Sequence, residues 1–288
     1  MIAWIDTIVQ GVLLGGLYAL FAMGLSLMFG VMRLVNIAHG DFILLAAFVG
    51  MALVAGLGVS PGIALLVLMP LAFAFGYGLQ RGVLNFALGR DILPPLLITF
   101  GLSIVIQNAL LQIFSADTRS IQAGALVTAS LHLGEGLAVG WLPLMIFVSA
   151  IAVALALQWL FGATRIGRAF RAAADDSEAA QLMGVDNRHI YALATAIAMV
   201  VVAIAGVFHG IRTTIAPTDG PALLLYAFEA VVIGGLGSFW GTFAGGVILG
   251  VAQSIGFRLD PGWGILVGHL AFLAVLLVKP NGLFPKTR

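Results

Sequence analysis

Charge is what this chain has least of. Only 9% of its 288 residues are Asp, Glu, Lys or Arg, where a soluble domain carries ~25%. No soluble fold could bury the apolar remainder, 61% of the chain at a mean hydropathy of +1.13. The composition therefore predicts an all-α, polytopic membrane protein. Cysteine is absent, which excludes disulfides and thiolate-ligated metal sites and says little about compartment. The net charge of +1 shows no basic footprint for nucleic acid. No G-x-x-x-x-G-K-[ST] loop is present, so the chain has no phosphate cradle of its own for ATP. No basic region precedes the first apolar run, and we expect that run to insert as a span rather than be cleaved as a leader.

What is there is a series of apolar runs. A membrane-crossing helix needs ~20 apolar residues. Nine stretches qualify as candidates: Thr7–Gly30, Gly40–Leu57, Pro61–Leu79, Pro94–Phe114, Trp141–Phe161, Ile190–Gly210, Ala222–Leu236, Thr242–Phe257 and Trp263–Val278. The seventh and eighth are short and joined only by Gly237–Gly241, so they read either as two crossings or as a re-entrant pair, giving about eight to nine membrane segments. The whole chain, 1–288, reads as one transmembrane unit.

Positive charge orients such a chain. With the 162–189 segment placed inside, the inner loops hold Arg33, Arg81, Arg90, Arg165, Arg168, Arg171, Arg188, Lys279, Lys286 and Arg288. The outer ones hold only Arg119, Arg212 and Arg258. The N-terminus is then external and the C-terminus cytoplasmic. The external Ser115–Gly140 is too short for a domain and is expected to hold a short helix or hairpin.

The longest charged stretch is Thr164–Tyr191. Its alanines favour helix, Asp175 with Glu178 suits an N-cap and first turn, and Gly184 suits a left-handed stop. We expect two short helices broken at Asp175–Ser177, although a plain solvated loop fits the local pattern as well.

Polar residues inside the apolar runs are the remaining candidates, because they are costly in lipid. Asn36, His39 and Asp41, with Arg33 before them, lie between the first two runs. They belong at an interface or along a water-filled path. His39 and Asp41 are two residues apart and face different ways on a helix, which argues against a shared metal or catalytic role. Thr99, Ser103 and Gln107 recur every four residues and share a face, with Asn108 beside it; interhelical hydrogen bonding and a polar strip along a substrate path are both open. Glu229 sits mid-run, read either as a neutral, hydrogen-bonded group or as a functional one. Gly11-x-x-x-Gly15, and Gly237, Gly241 and Gly245 with Gly246 and Gly250 on the next face, read as close helix packing.

Four ordered blocks carry a resemblance. Gly24–Phe42, ending Asn36-Ile37-Ala38-His39-Gly40-Asp41-Phe42, resembles the N-x-A-H-G-E/D-F signature of branched-chain amino acid ABC transporter permeases of the LivH type. Glu178-Ala179-Ala180 followed by Gly184 is similar to the EAA-x-x-x-G coupling loop of ABC importer permeases. Val231–Gly250 resembles the family's glycine-rich run, and Lys279-Pro280-Asn281-Gly282-Leu283-Phe284 its ending, with Lys279 in place of the usual Arg and Pro285 where glycine is common.

The resemblance implies a permease fold that is not itself an enzyme, with no cofactor or metal. It implies a bacterial inner-membrane location and import of Leu, Ile or Val. The implied partners are two cytoplasmic ATP-binding subunits, a second homologous permease and a periplasmic substrate-binding protein, all around a core in membrane lipid. Arg171, Asp175, Glu178, Ala179, Ala180 and Gly184 would couple to the ATPases. Asn36, His39, Asp41, Thr99, Ser103, Gln107 and Glu229 are the candidates for the path. Amides, urea or other small amino acids are alternative cargoes, and an ion-coupled secondary transporter is a more distant alternative.

Overall fold

The structure is a computed structural model, and it describes residues 2–87, 93–134 and 137–284. Arg90, Asp91, Glu135, Pro285, Lys286 and Arg288 lie outside the described residues. The helices in chain order are α1 (Ile2–Met32), α2 (His39–Leu57), α3 (Pro61–Leu79), α4 (Asn85–Ala87), α5 (Leu93–Phe114), α6 (Ala125–Thr128), α7 (Trp141–Ala163), α8 (Arg165–Asp175), α9 (Ser177–Leu182), α10 (Asn187–Arg212), α11 (Gly220–Gly234), α12 (Phe239–Leu259) and α13 (Gly264–Val278). A wide π-turn over Gln80–Leu84 joins α3 to α4. Between α6 and α7 lies the one hairpin among the described residues, β1 (Ser130–Gly134) against β2 (Leu137–Gly140). The Ser115–Gly140 segment thus holds both a short helix and a hairpin.

Helix α1 is the post of the bundle. Every residue from Gly15 to Met28 is buried. It reaches that state because small residues let neighbours touch its backbone. Gly15 meets Val247 of α12, and Gly246 and Gly250 meet Ala19 and Gly15 in return. On another side Gly16 packs on Phe147 of α7. A buried hydrogen bond from the Thr242 hydroxyl to Ser26 Oγ, 2.9 Å, fixes α12 on α1.

Among the described residues seven helices are long and apolar enough to cross a membrane: α1, α2, α3 with its extension to Ala87, α5, α7, α10 and α12. Helices α11 and α13 are shorter, 15 residues each. At 1.5 Å per residue that is about 22 Å, less than the ~30 Å hydrocarbon core. The seventh and eighth sequence segments therefore differ in kind. Helix α12 has crossing length, whereas α11 starts inside the bundle: Gly220 lies against Gly40 and Asp41 at the head of α2.

The expected glycine ridge needs one correction. Gly241 and Gly245 do pack against Gly234 and Ala230 of α11. Gly237 is not on that ridge, because it lies before α12 in the turn, at φ +79°. It serves the reversal between α11 and α12, a conformation that suits glycine.

The two ends of the bundle differ in charge. Arg119, Arg212 and Arg258 lie at the end that holds the start of α1. There Gln10 Nε2 donates to Ala138 O at 2.9 Å, Arg119 pairs with Ile215 by backbone, and Arg258 stands over Trp4. Arg33, Arg81, Arg165, Arg168, Arg171, Arg188 and Lys279 belong to the opposite end, where Gly30 meets Gly237 and the Leu283 and Phe284 amides bond Ile233 and Gly234.

Candidate functional site

Three regions hold the candidate residues. The first is the charged end. Thr164 caps α8: its hydroxyl accepts from the Gly167 amide at 2.9 Å and donates to Leu160 O at 2.6 Å. Helix α8 turns Gly167, Phe170 and Ala173 inward. Phe170 is fully buried against the Phe161 ring, with centroids 5.2 Å apart. Arg165 and Arg168 stay exposed and Arg171 is half-buried.

The break falls at Asp176, within the expected Asp175–Ser177, but the cap is Asp176 and not Asp175. Asp176 Oδ1 accepts from the Glu178 and Ala179 amides, both at 3.0 Å, and so caps α9. Asp175 is the last residue of α8. A cap must have extended backbone while its side chain reaches the amides two and three residues on, and Asp176 is the residue in that position. Gly184 ends the element at φ +88°. The Val185 amide reaches back to Ala180 O at 3.0 Å, the long closing bond of a left-handed helix stop.

Ala180 is buried and holds α9 to the body, while Asp175, Glu178, Ala179 and Gly184 are exposed. Asn187 Nδ2 donates to Ser177 O at 2.6 Å, tying α9 to the start of α10. A cleft of ≈ 560 Å³ runs between this element and the end of α1, lined by Val31, Met32, Arg33, Asp175, Asp176 and Glu178 among others. The sequence reading missed the two residues at the tip. Leu182 and Met183 are 88% and 85% exposed, large apolar side chains presented from the most charged part of the molecule. An amphipathic pattern cannot flag them, because a six-residue helix is too short to show a face.

The second region is the head of α2. The chain leaves α1 at Met32 and folds back alongside it. His39 Nε2 lies 2.7 Å from Phe21 O. Phe21 is eleven residues before the end of α1, about 16 Å at 1.5 Å per residue. Asn36, His39 and Asp41 are buried inside the bundle, and of the four only Arg33 is exposed. Asn36 Oδ1 accepts from the Ala38 amide at 3.0 Å and shapes the turn into α2.

Thr99, Ser103 and Gln107 all face this turn. The Ile37 amide donates to Thr99 Oγ1 at 3.2 Å, and Gln107 Nε2 donates to Asp41 Oδ1 at 2.9 Å and to Ser103 Oγ at 3.1 Å. Asn108, off that face, is exposed and bonds Ile104 O of its own helix. His39 looks toward α1 and Asp41 toward α5, so they share no ligand.

The third region surrounds Glu229, which is 1% exposed. Its Oε1 and His269 Nδ1 of α13 are 2.5 Å apart. The Tyr18 hydroxyl donates to Gln253 Oε1 at 2.5 Å, and its ring stacks on Tyr226, centroids 5.1 Å apart. Tyr226 in turn stacks on His269 at 6.4 Å. His209 meets the Phe21 ring edge-on at 5.4 Å. Arg212, read from sequence as part of an external loop, is the last residue of α10 and is half-buried.

Tyr18, His209, Tyr226, Gln253 and His269 were not singled out in the sequence. They lie on five helices with no shared spacing, and the one signal available was that each is a polar side chain in an apolar run. Among the described residues no three His, Asp or Glu side chains are placed to share a metal ion.

Comparison with known proteins adds to this geometry. Residues 7–276 match the family described as branched-chain amino acid transport system / permease component. The chain is similar to the high-affinity branched-chain amino acid transport system permease protein BraD of Pseudomonas aeruginosa, 30% identical, with 97% of this chain and 95% of that protein covered. It is similar to LivH of Escherichia coli strain K12, named likewise, at 29% identity over 95% and 93%. Among solved structures it resembles a chain of PsaBC from Streptococcus pneumoniae in complex with Fab, at a TM-score of 0.51 and 16% identity, covering 98% of this chain and 97% of that one. That likeness shows the fold alone.

Proposed function

The chain belongs to the family of branched-chain amino acid transport system permease components, and from that premise we propose that it carries Leu, Ile or Val inward as the membrane subunit of an ATP-driven importer. It is a multi-pass membrane protein and hydrolyses nothing itself; ATPase subunits and a substrate-binding protein complete the system. Two ATPases, a second homologous permease and a periplasmic binding protein are the composition we infer. In that assembly the bundle end carrying α8 and α9 faces the cytoplasm, which agrees with its excess of arginine.

One observation carries the coupling role: the exposure of Leu182 and Met183 beside Glu178 and Gly184. Two large apolar side chains at the tip of a charged element are out of place in water. They suit insertion into a groove of an ATPase, with Arg171, Asp175 and Glu178 at the polar rim. Gly167, Phe170 and Ala173 bind the same element to the bundle, so a pull on the tip would reach α7 and α10. Closure of the ATPases would then bias the bundle between outward- and inward-open states. Asn36, His39, Asp41, Thr99, Ser103, Gln107 and Glu229 are the polar groups we assign to the path. Amide, urea or other small amino-acid cargo would use the same machinery.

The test is uptake of labelled leucine by vesicles containing the whole complex. We expect Leu182→Asp with Met183→Asp, and separately Glu178→Arg with Gly184→Pro, to cut ATP-dependent uptake at least tenfold while the permease stays in the membrane and no longer retains its ATPases. Unchanged uptake in both would refute docking at this element. Uptake by the isolated chain without ATPases would show an ion-coupled transporter instead.

A further inference from the structure

An amino acid crossing an apolar bundle poses an unequal problem. Its aliphatic side chain suits apolar walls. Its charged α-carboxylate and α-ammonium do not, because burying an ion without partners is very costly. A path for several branched-chain amino acids therefore needs groups that receive the shared head and need not read the side chain.

The strip between α2 and α5 is poorly suited to that task. Asp41, Ser103 and Gln107 already bond one another. The region around Tyr18 is different. Among the described residues six buried side-chain polar atoms lack a partner, and four of them are here: His209 Nδ1, Arg212 Nη1, Glu229 Oε2 and Gln253 Nε2. Glu229 and Gln253 are each 1% exposed.

All four groups are gathered by one face of α1. Tyr18 bonds Gln253. Tyr226, stacked on Tyr18, also stacks on His269, which holds Glu229, and Arg212 follows His209 by three residues on α10. Phe21, one turn on, touches His209. Unpartnered buried polar groups are rare in folded proteins, and each calls for an explanation. Here the free set is two donors, Arg212 and Gln253, and two atoms able to accept, the Glu229 carboxyl oxygen and, with the ring proton on Nε2, His209 Nδ1, with one guanidinium and one carboxyl group among them. That is the complement of a zwitterion.

We propose that Arg212, Gln253, Glu229 and His209 form a station for the head of the transported amino acid, Arg212 and Gln253 donating to its α-carboxylate and Glu229 and His209 accepting from its α-ammonium. The station rests on the reading above that the cargo is an α-amino acid. It leaves the side chain unread, which suits a permease shared by Leu, Ile and Val.

The experiment uses the whole complex in proteoliposomes and a leucine analogue with a photoreactive diazirine in its side chain, whose α-groups are intact. Light should label peptides of α10, α11 or α12 in the wild type. Excess leucine should abolish the label. Equal 3-methylbutylamine, which lacks the carboxylate, or 4-methyl-2-oxopentanoate, which lacks the ammonium, should not. Arg212→Gln and Glu229→Gln should each lower ATP-driven leucine uptake and this labelling at least tenfold, with the ATPases still bound.

Label confined to α2 and α5, or variants that transport and label like the wild type, would overturn the station and leave the functional reading standing. If the variants fail to assemble, the wild-type labelling site and its competition pattern decide. If the wild-type complex takes up no amino acid at all, the functional reading itself has failed.

Discussion

Helices α1 and α7 have nearly the same task as sequences and opposite fates in the fold. Both are long apolar runs, and α7 is the more apolar of the two. Yet 83% of the core window of α1 is buried, and only 22% of that of α7. Apolarity does not separate them, because in lipid an apolar side chain gains little by leaving the acyl chains for a neighbouring helix. Contact is decided by how closely backbones approach. Helix α1 has Gly11 and Gly15, which meet α12, Gly16, which meets α7, and Gly24, which meets α2 and α10. Helix α7 buries only a narrow stripe, Leu142, Ile146, Ala150, Ala154 and Leu157, and leaves Met145, Val148, Leu155 and Trp159 exposed.

The strongest way to break this contrast is to put a large side chain in the α1–α12 seam. A Cβ at Gly15 would already meet the Val247 backbone. Gly15→Leu should cost more than ~3 kcal/mol, above the usual 1–3 for overpacking because backbone rather than side chain must move. The permease should fail to accumulate in the membrane or lose most of its thermal stability in detergent; normal accumulation and melting would sink the packing account. A smaller effect is expected from Thr242→Val, which removes the bond to Ser26 in the same seam. Interhelical bonds of this kind in membranes are worth ~0.6 kcal/mol on average, and a melt of the purified chain would register the loss as a shift of a few degrees at most. The smallest effect belongs to α7. Leu155 is 53% exposed, and Leu155→Ala should change the stability of the isolated chain by less than ~0.5 kcal/mol. Measured in the assembled importer instead, a cost above ~1 kcal/mol would show that another subunit covers this face.

Much of the permease was legible one residue at a time. Gly184 announced its left-handed stop because only a residue without a Cβ enters that region cheaply. The face shared by Thr99, Ser103 and Gln107 followed from helical spacing. The choice of Asp176 over Asp175 was not legible, since both are good caps and only the path of the backbone selects one. Nor was the role of Leu182 and Met183, whose exposure depends on how α8 and α9 lie against the bundle.

By itself the sequence determined that this chain is an all-helical membrane protein, where its apolar runs lie, which end carries the arginines and which family its motifs resemble. Those are local properties: hydropathy, spacing and backbone freedom belong to a residue and its near neighbours. The tertiary structure alone decided that the chain after α1 folds back to bring His39 to Phe21, that α11 starts inside the bundle, and that Tyr18 meets Gln253, 235 residues away. Such meetings depend on which faces of distant helices pack together. That is set by the summed close contacts of the whole bundle, which no single stretch of sequence contains.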